Sequence, residues 1–161
     1  MITIRPAAPH ELSVIAELAQ RIWPTAYAGI LTPEQIANIL QHIYTTNNLA
    51  DEQARGHRFW IAYEEDKAVG YASGYREEQV VWLKKVYVDP AAQGKGIGKR
   101  LMEAVEAAFR PASELRLLAN PNNTPAHRFY LRQGFEKVGE VPVRMGDWSF
   151  MDFIFSRRIA A

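Results

Sequence analysis

Three glycines fall within five positions, Gly94, Gly96 and Gly98, with Lys95 between them and Lys99 and Arg100 just after. Glycine admits backbone conformations closed to other residues and lets a ligand approach the main chain. An apolar-periodic stretch begins at Ile97, so these glycines open a helix. The first amides of a helix lack intrahelical partners, and its dipole favours an anion there. A pyrophosphate fits such a turn. A Walker A loop would need glycine where Gln93 stands and serine or threonine where Arg100 stands. A Rossmann fingerprint would need a third glycine at Lys99, and its unit would not follow three strand-like segments. Both fail, leaving another phosphate loop or a turn with no ligand.

Few other residues have the types and spacing for chemistry. Tyr130 offers a phenol proton, or simply a core aromatic beside Phe129. Asn123, with Thr124 and Pro125, reads as a helix cap that can also meet a ligand. His10, His42, His57 and His127 are scattered without metal-ligand spacing. There is no cysteine, which excludes disulfides, thiolate metal sites and a cysteine-acyl intermediate.

These groups need a scaffold. Residues 2–5 read as a short strand. Leu12, Ile15, Ala16, Ala19 and Ile22 keep helical spacing, and Pro24 predicts a stop before it. Thr32-Pro-Glu-Gln35 has the form of a capping box, and Ile36, Ile39, Leu40, Ile43 and Tyr44 make the stripe of a second helix. A polar connection, TTNNLADEQARG, leads to strands over 58–63, 67–76 and 79–88. A helix from Ile97 ends at Pro111, 115–119 is a buried strand, and 123–133 is a helix closed by Gly134. Strands over 135–143 and 148–155 finish the chain. The pattern predicts an α/β (α+β) fold: a mixed, mostly antiparallel sheet of six to seven strands flanked by about four helices.

At 161 residues, 48% hydrophobic and 23% charged, the chain reads as one globular domain, 1–161. A net charge of +1 without a basic cluster gives no footprint for nucleic acid. No apolar run approaches a bilayer span, and MITIRPAAPHEL lacks the cationic and apolar regions of a signal peptide. A cytoplasmic protein with no nucleic-acid or membrane partner and no metal is the expectation.

Val86-Tyr-Val-Asp-Pro90, Gln93-Gly-Lys-Gly-Ile-Gly98, Asn123-Thr-Pro-Ala126 and Phe129-Tyr-Leu-Arg-Gln-Gly-Phe135 together resemble the GNAT N-acetyltransferases. The likeness covers residues 80–135, and the element order fits that fold from end to end. It implies acetyl-CoA as cosubstrate. The loop Gln93, Gly94, Lys95, Gly96, Ile97, Gly98 and Lys99 would hold the pyrophosphate through its amides, with Asn123 touching the cofactor. The backbone of Val86, Tyr87 and Val88 would pair with the pantetheine arm and polarise the acetyl carbonyl. Tyr130 would stand by the thioester sulfur and donate a proton to the leaving thiolate.

A base is missing from the pattern. Trp82 and Leu118 occupy the positions where family members place a glutamate, and Lys84 and Lys85 read as solvated strand residues. Water relayed from Glu77, Glu78, Asp147 or a tyrosine, or delivery of a neutral amine, would fill the gap. Gly29–Gln35 and Met145–Asp152 resemble the bacterial spermidine/spermine acetyltransferase branch, and Asp147 and Asp152 are the carboxylates a polyamine would need. The reading is direct transfer to a primary amine, small or polyamine. The alternatives are a protein N-terminal or lysine acetyltransferase and a non-catalytic CoA sensor. A late edge strand could pair two subunits as a homodimer.

Overall fold

The computed structural model describes residues 1–159; residues 160 and 161 of the expected 1–161 span lie outside the described residues. Seven strands form one sheet: β1 Ile2–Pro6, β2 Arg58–Glu64, β3 Lys67–Glu77, β4 Val80–Val88, β5 Glu114–Ala119, β6 Glu136–Met145 and β7 Trp148–Arg158. Their order is β1-β2-β3-β4-β5-β7-β6, antiparallel everywhere except between β4 and β5.

Helices cover both faces. On one lie α1 (Leu12–Ala26), α2 (Pro33–Ile43) and α3 (Thr46–Ala54), whose Ile15, Ile22, Ile39 and Leu49 pack with Phe59, Ile61 and Tyr71 of the sheet. On the other lie α4 (Ile97–Ala108) and α5 (Thr124–Arg132). Leu101, Met102 and Val105 of α4 meet Ala72, Val81, Leu83 and Leu117 there. Strand alternation feeds both cores, so Trp60 and Ala62 of β2 point one way and Phe59 and Ile61 the other.

Two expectations change. α1 runs through Pro24 to Ala26 rather than stopping before it. A proline this near the C-terminus removes one ladder bond, and burial of Trp23 and Tyr27 on either side holds the last turn, whose Tyr27 amide donates to the Trp23 carbonyl at 3.0 Å. The polar connection contains α3, capped by Thr45, which accepts from Asn48 N at 3.1 Å. It lacks a legible stripe because its buried residues are only Leu49 and the charged Glu52. The capping box of α2 forms as read, with Gln35 N to Thr32 Oγ1 at 3.1 Å and Thr32 N to Gln35 Oε1 at 3.0 Å.

Candidate active site

β4 and β5 lie side by side only from Val80 to Leu83 and Glu114 to Leu117. Beyond that β4 follows β3 to Val88 while β5 follows β7 to Ala119, and a wedge opens in the sheet. A bulge sits at the parting: Ser73 opposes Lys85 and Gly74 opposes Leu83, so Lys84 is the extra residue. Such a bulge bends its strand and re-aims side chains.

Past the bulge, alternate residues of β4 spend their main chain on β3. Asp89 N donates to Val69 O at 2.7 Å, and the Tyr87 carbonyl stands 2.9 Å from where a Cβ on Gly70 would be, so both face β3. Val86 and Val88, between them, turn their amides and carbonyls towards the wedge. The three strand residues singled out in sequence thus divide. Val86 and Val88 present main chain to the wedge, whereas Tyr87 keeps its main chain on β3 and its side chain on the α1 face.

At the wedge's α4 end the three glycines have two roles. Gly94 (φ +85°) and Gly96 (φ +75°) are left-handed with open space around them, so backbone conformation selects glycine. At Gly98 a Cβ would come within 3.3 Å of the Phe129 ring, so closeness of α4 to α5 selects it. Gly96 is the N-cap of α4 and supplies no side-chain acceptor, which leaves the first-turn amides uncapped. Gln93 hangs beneath the loop, its Nε2 donating to Val88 O at 3.4 Å. Two of the loop's cations are engaged elsewhere: Lys95 pairs with Glu64, and Arg100 donates to the Ile2 carbonyl at 3.0 Å. Lys99 is exposed.

At the other end sit the tyrosines. Tyr130, on α5, packs against Phe129, Phe135 and Phe155 with ring centroids 5.4, 5.8 and 6.0 Å away. Burial, and then the neighbouring Tyr27, push its pKa above the usual phenol range. Tyr27 and Tyr87 share a hydrogen bond of 2.8 Å between their hydroxyls. Burial raises Tyr27 to about 12, against the opposing effects of Tyr87 and Asn123. Asn123 caps α5, accepting from Ala126 N at 3.4 Å.

On the α1 face Tyr27 and Tyr87 open onto a cavity of about 140 Å³. Trp23, Tyr27 and Tyr44 wall it from the helices, Trp82 and Leu118 from the parted strands, and Met145 and Phe150 from the last hairpin. The hairpin tip is tied to α2: Asn38 Nδ2 donates to Asp147 Oδ2 at 2.7 Å, and Asp147 N donates to Asn38 Oδ1 at 2.9 Å. Asp147 is thereby a fastening. Glu77 and Glu78 sit at the far, exposed β3–β4 turn. Asp152 of β7 is the carboxylate among the lining residues, 8% exposed, its pKa raised by burial against the lowering effect of Lys84.

A family model described as "Acetyltransferase (GNAT) domain" matches residues 55–137, which contain the wedge, the glycine loop and Tyr130. The chain belongs to the GNAT acetyltransferase family. It is an N-acetyltransferase. An uncharacterized N-acetyltransferase of Mycobacterium tuberculosis is 30% identical over 149 residues, covering 90% of this chain and 96% of that protein. The spermidine N(1)-acetyltransferase of Thermoplasma acidophilum is 25% identical over 164 residues, covering 98% and 97%. The crystal structure of a PaiA N-acetyltransferase from Thermoplasma acidophilum in complex with coenzyme A superposes with a TM-score of 0.86, at 24% identity and covering 99% of each chain. The GNAT fold expected from the motifs is the fold observed.

Within this GNAT site one reading of the sequence is corrected and one residue gains a place. Lys84 is exposed, but Lys85 is 4% exposed, and its Nζ donates to Glu52 Oε1 of α3 at 2.6 Å. Burial lowers Lys85 to about 8, against the raising effect of Glu52. Strict alternation would put Lys84 and Lys85 on opposite faces; the bulge puts both on the cavity side. Asp152 occurs in the sequence reading as a polyamine carboxylate and not as a base. Its alternation with Phe150 on the hairpin is the signal that places it inward.

Proposed function

We propose that the protein transfers the acetyl group of acetyl-CoA to the primary amine of a small molecule held in the cavity, by direct attack in a ternary complex. The reading is carried by the wedge: main-chain groups at Val86 and Val88, paired with no neighbouring strand, lie between an uncapped helix terminus and a buried phenol. The glycine loop from Gln93 to Lys99 takes the pyrophosphate on the first-turn amides of α4, where the helix dipole favours it. The pantetheine arm fills the gap beside β4 as an extra strand, bonding Val86 and Val88. A β4 amide then donates to the thioester carbonyl and stabilises the oxyanion. In this reading Asn123, the N-cap of α5, touches the cofactor as well. The fit rests on open backbone in the wedge, and the residues present suit the cosubstrate.

An ammonium must lose a proton before it attacks, since its pKa is near ~10.4. Asp152 faces the cavity with a pKa raised by burial, which makes it a stronger base than an ordinary aspartate. Two protons leave the amine nitrogen in the whole reaction. One goes to Asp152 and on to solvent; the other ends on the CoA sulfur. Tyr130 donates to that sulfur. Its raised pKa makes full transfer to a thiolate, whose thiol has a pKa near ~8.5, uphill. The phenol therefore shares its proton in a hydrogen bond, and the sulfur's proton comes finally from the amine.

CoA-thiol release across diamines, spermidine, amino acids and peptides tests the reading, with Gly96→Glu as the cofactor-blind control. Turnover of at least one small amine, lost in that variant, is expected. Silence from every small amine together with activity on peptides would move the assignment to a protein acetyltransferase. Cofactor binding with no transfer to any acceptor would make it a sensor.

A further inference from the structure

The walls of the cavity carry a statement about the acceptor, resting on the acetyl-transfer reading above. Their charges cancel. Lys85 is paired with Glu52 at 2.6 Å, both buried. Exposed Lys84 already acts on Asp152, opposing the rise that burial imposes on its carboxyl. Arg144 alternates with the inward Val143 and Met145 and pairs with exposed Ser149, so it stands on the opposite face of the hairpin. Asp147 is fastened to Asn38 and lines no part of the cavity. One carboxylate, Asp152, is left for an incoming ammonium.

The rest of the wall is mostly aromatic or apolar. Tyr75 of β3 and Trp82 of β4 are register partners and share a face, which Trp23 and Tyr27 of α1 cover from the helix side. Leu118 of β5 lines the cavity yet is 37% exposed, an apolar side chain that an apolar ligand would cover. The volume, about 140 Å³, suits one ring. An apolar cavity of ~150 Å³ takes up benzene.

A second ammonium in this space would have no carboxylate, and burying an unpaired charge is costly. A single ammonium loses its charge there as its proton passes to Asp152. We infer that the acceptor is a primary monoamine whose body is one apolar ring or a group of that size, with its nitrogen beside Asp152 and its body against Trp82 and Leu118. The reacting end is set by Tyr27, whose hydroxyl shares a 2.8 Å hydrogen bond with that of Tyr87 and is coupled to both Asp152 and Tyr130. Trp82 lies farther back along β4 than Tyr87, so the body extends from those hydroxyls towards it. The N–C bond to the acetyl carbon forms as the C–S bond breaks, and the two amine protons leave by the routes above. The products are the N-acetylated amine and the CoA thiol.

The test compares CoA-thiol release by the intact protein with acetyl-CoA and 2-phenylethylamine, ethylamine, 1,4-diaminobutane or spermidine. kcat/KM for 2-phenylethylamine should exceed that of each other amine by roughly tenfold or more, the scale of burying one ring. Leu118→Glu, at an exposed position that tolerates a charge, sets a second carboxylate in the wall. KM for 2-phenylethylamine should then rise with little change in kcat, and kcat/KM for spermidine should rise. Leu118→Met should keep the parent's order of acceptors. Ethylamine equal to 2-phenylethylamine, a diamine or spermidine as the best acceptor, or an unchanged KM in Leu118→Glu overturns the inference and leaves acetyl transfer standing. No turnover of any amine by protein that binds acetyl-CoA overturns both.

Discussion

In the proposed reaction Tyr130 and Asp152 divide the proton work, and their environments make the division testable. Tyr130→Phe keeps the ring packed against Phe135 and Phe155 and removes only the donor. Turnover should fall by about 10²-fold or more with CoA affinity unchanged, measured by steady-state kinetics beside a binding titration. For Asp152 the folded-state pKa is raised, so folded protein holds more protons than unfolded chain between the ordinary carboxylate value and the raised one. Stability therefore falls as pH rises through that window, and activity appears through the same window as the base ionises. Asp152→Asn should lose the acid limb of the kcat/KM profile and most of the rate while its Tm at neutral pH rises. A variant with the limb intact would clear Asp152 of the base role. The spacing Asn123…Tyr130…Gly134-Phe135 singled Tyr130 out, and its place among Phe129, Phe135 and Phe155 follows from that helix. Asp152 was legible as a charge but its burial was not, because burial is set by the whole hairpin.

Among the elements, β4 decides most. Its pattern was readable as a strand, and the glycine turn that follows as the opening of α4, because those signals are local. The bulge at Lys84 was not, since it is set by register against β3 at Ser73 and Gly74. From that one slip follow both lysines on the cavity side and the pair between Lys85 and Glu52 of α3. Short, polar α3 is held by this pair and by Leu49 rather than by a stripe. Removing one partner strands a buried charge, so Lys85→Ala should destabilise the protein by ~3–5 kcal/mol in denaturant unfolding. Glu52→Leu combined with Lys85→Met should recover most of that loss. If the single variant unfolds like the parent, the pair does not hold α3 to β4.

The whole molecule is a sheet with a core on each face and one seam. Parallel pairing between β4 and β5 ends early, and the cavity opens where it ends, which is where the proposed function puts the thioester. Alternating strands and helices made the mixed sheet foreseeable, while the seam depends on where two strands distant in sequence stop pairing. In the proposed reaction the seam offers open backbone to the cosubstrate without adding an outer edge to the sheet. No helix among the described residues is long and apolar enough to cross a membrane.

Calorimetric titration of the folded protein with coenzyme A and acetyl-CoA tests the seam most directly, run beside Gly96→Glu, whose side chain meets a left-handed backbone (φ +75°) and places a carboxylate at the mouth of α4. One ligand bound per chain, with binding abolished in the variant, is the predicted result. No heat with the parent protein, or equal affinity in the variant, would contradict the account.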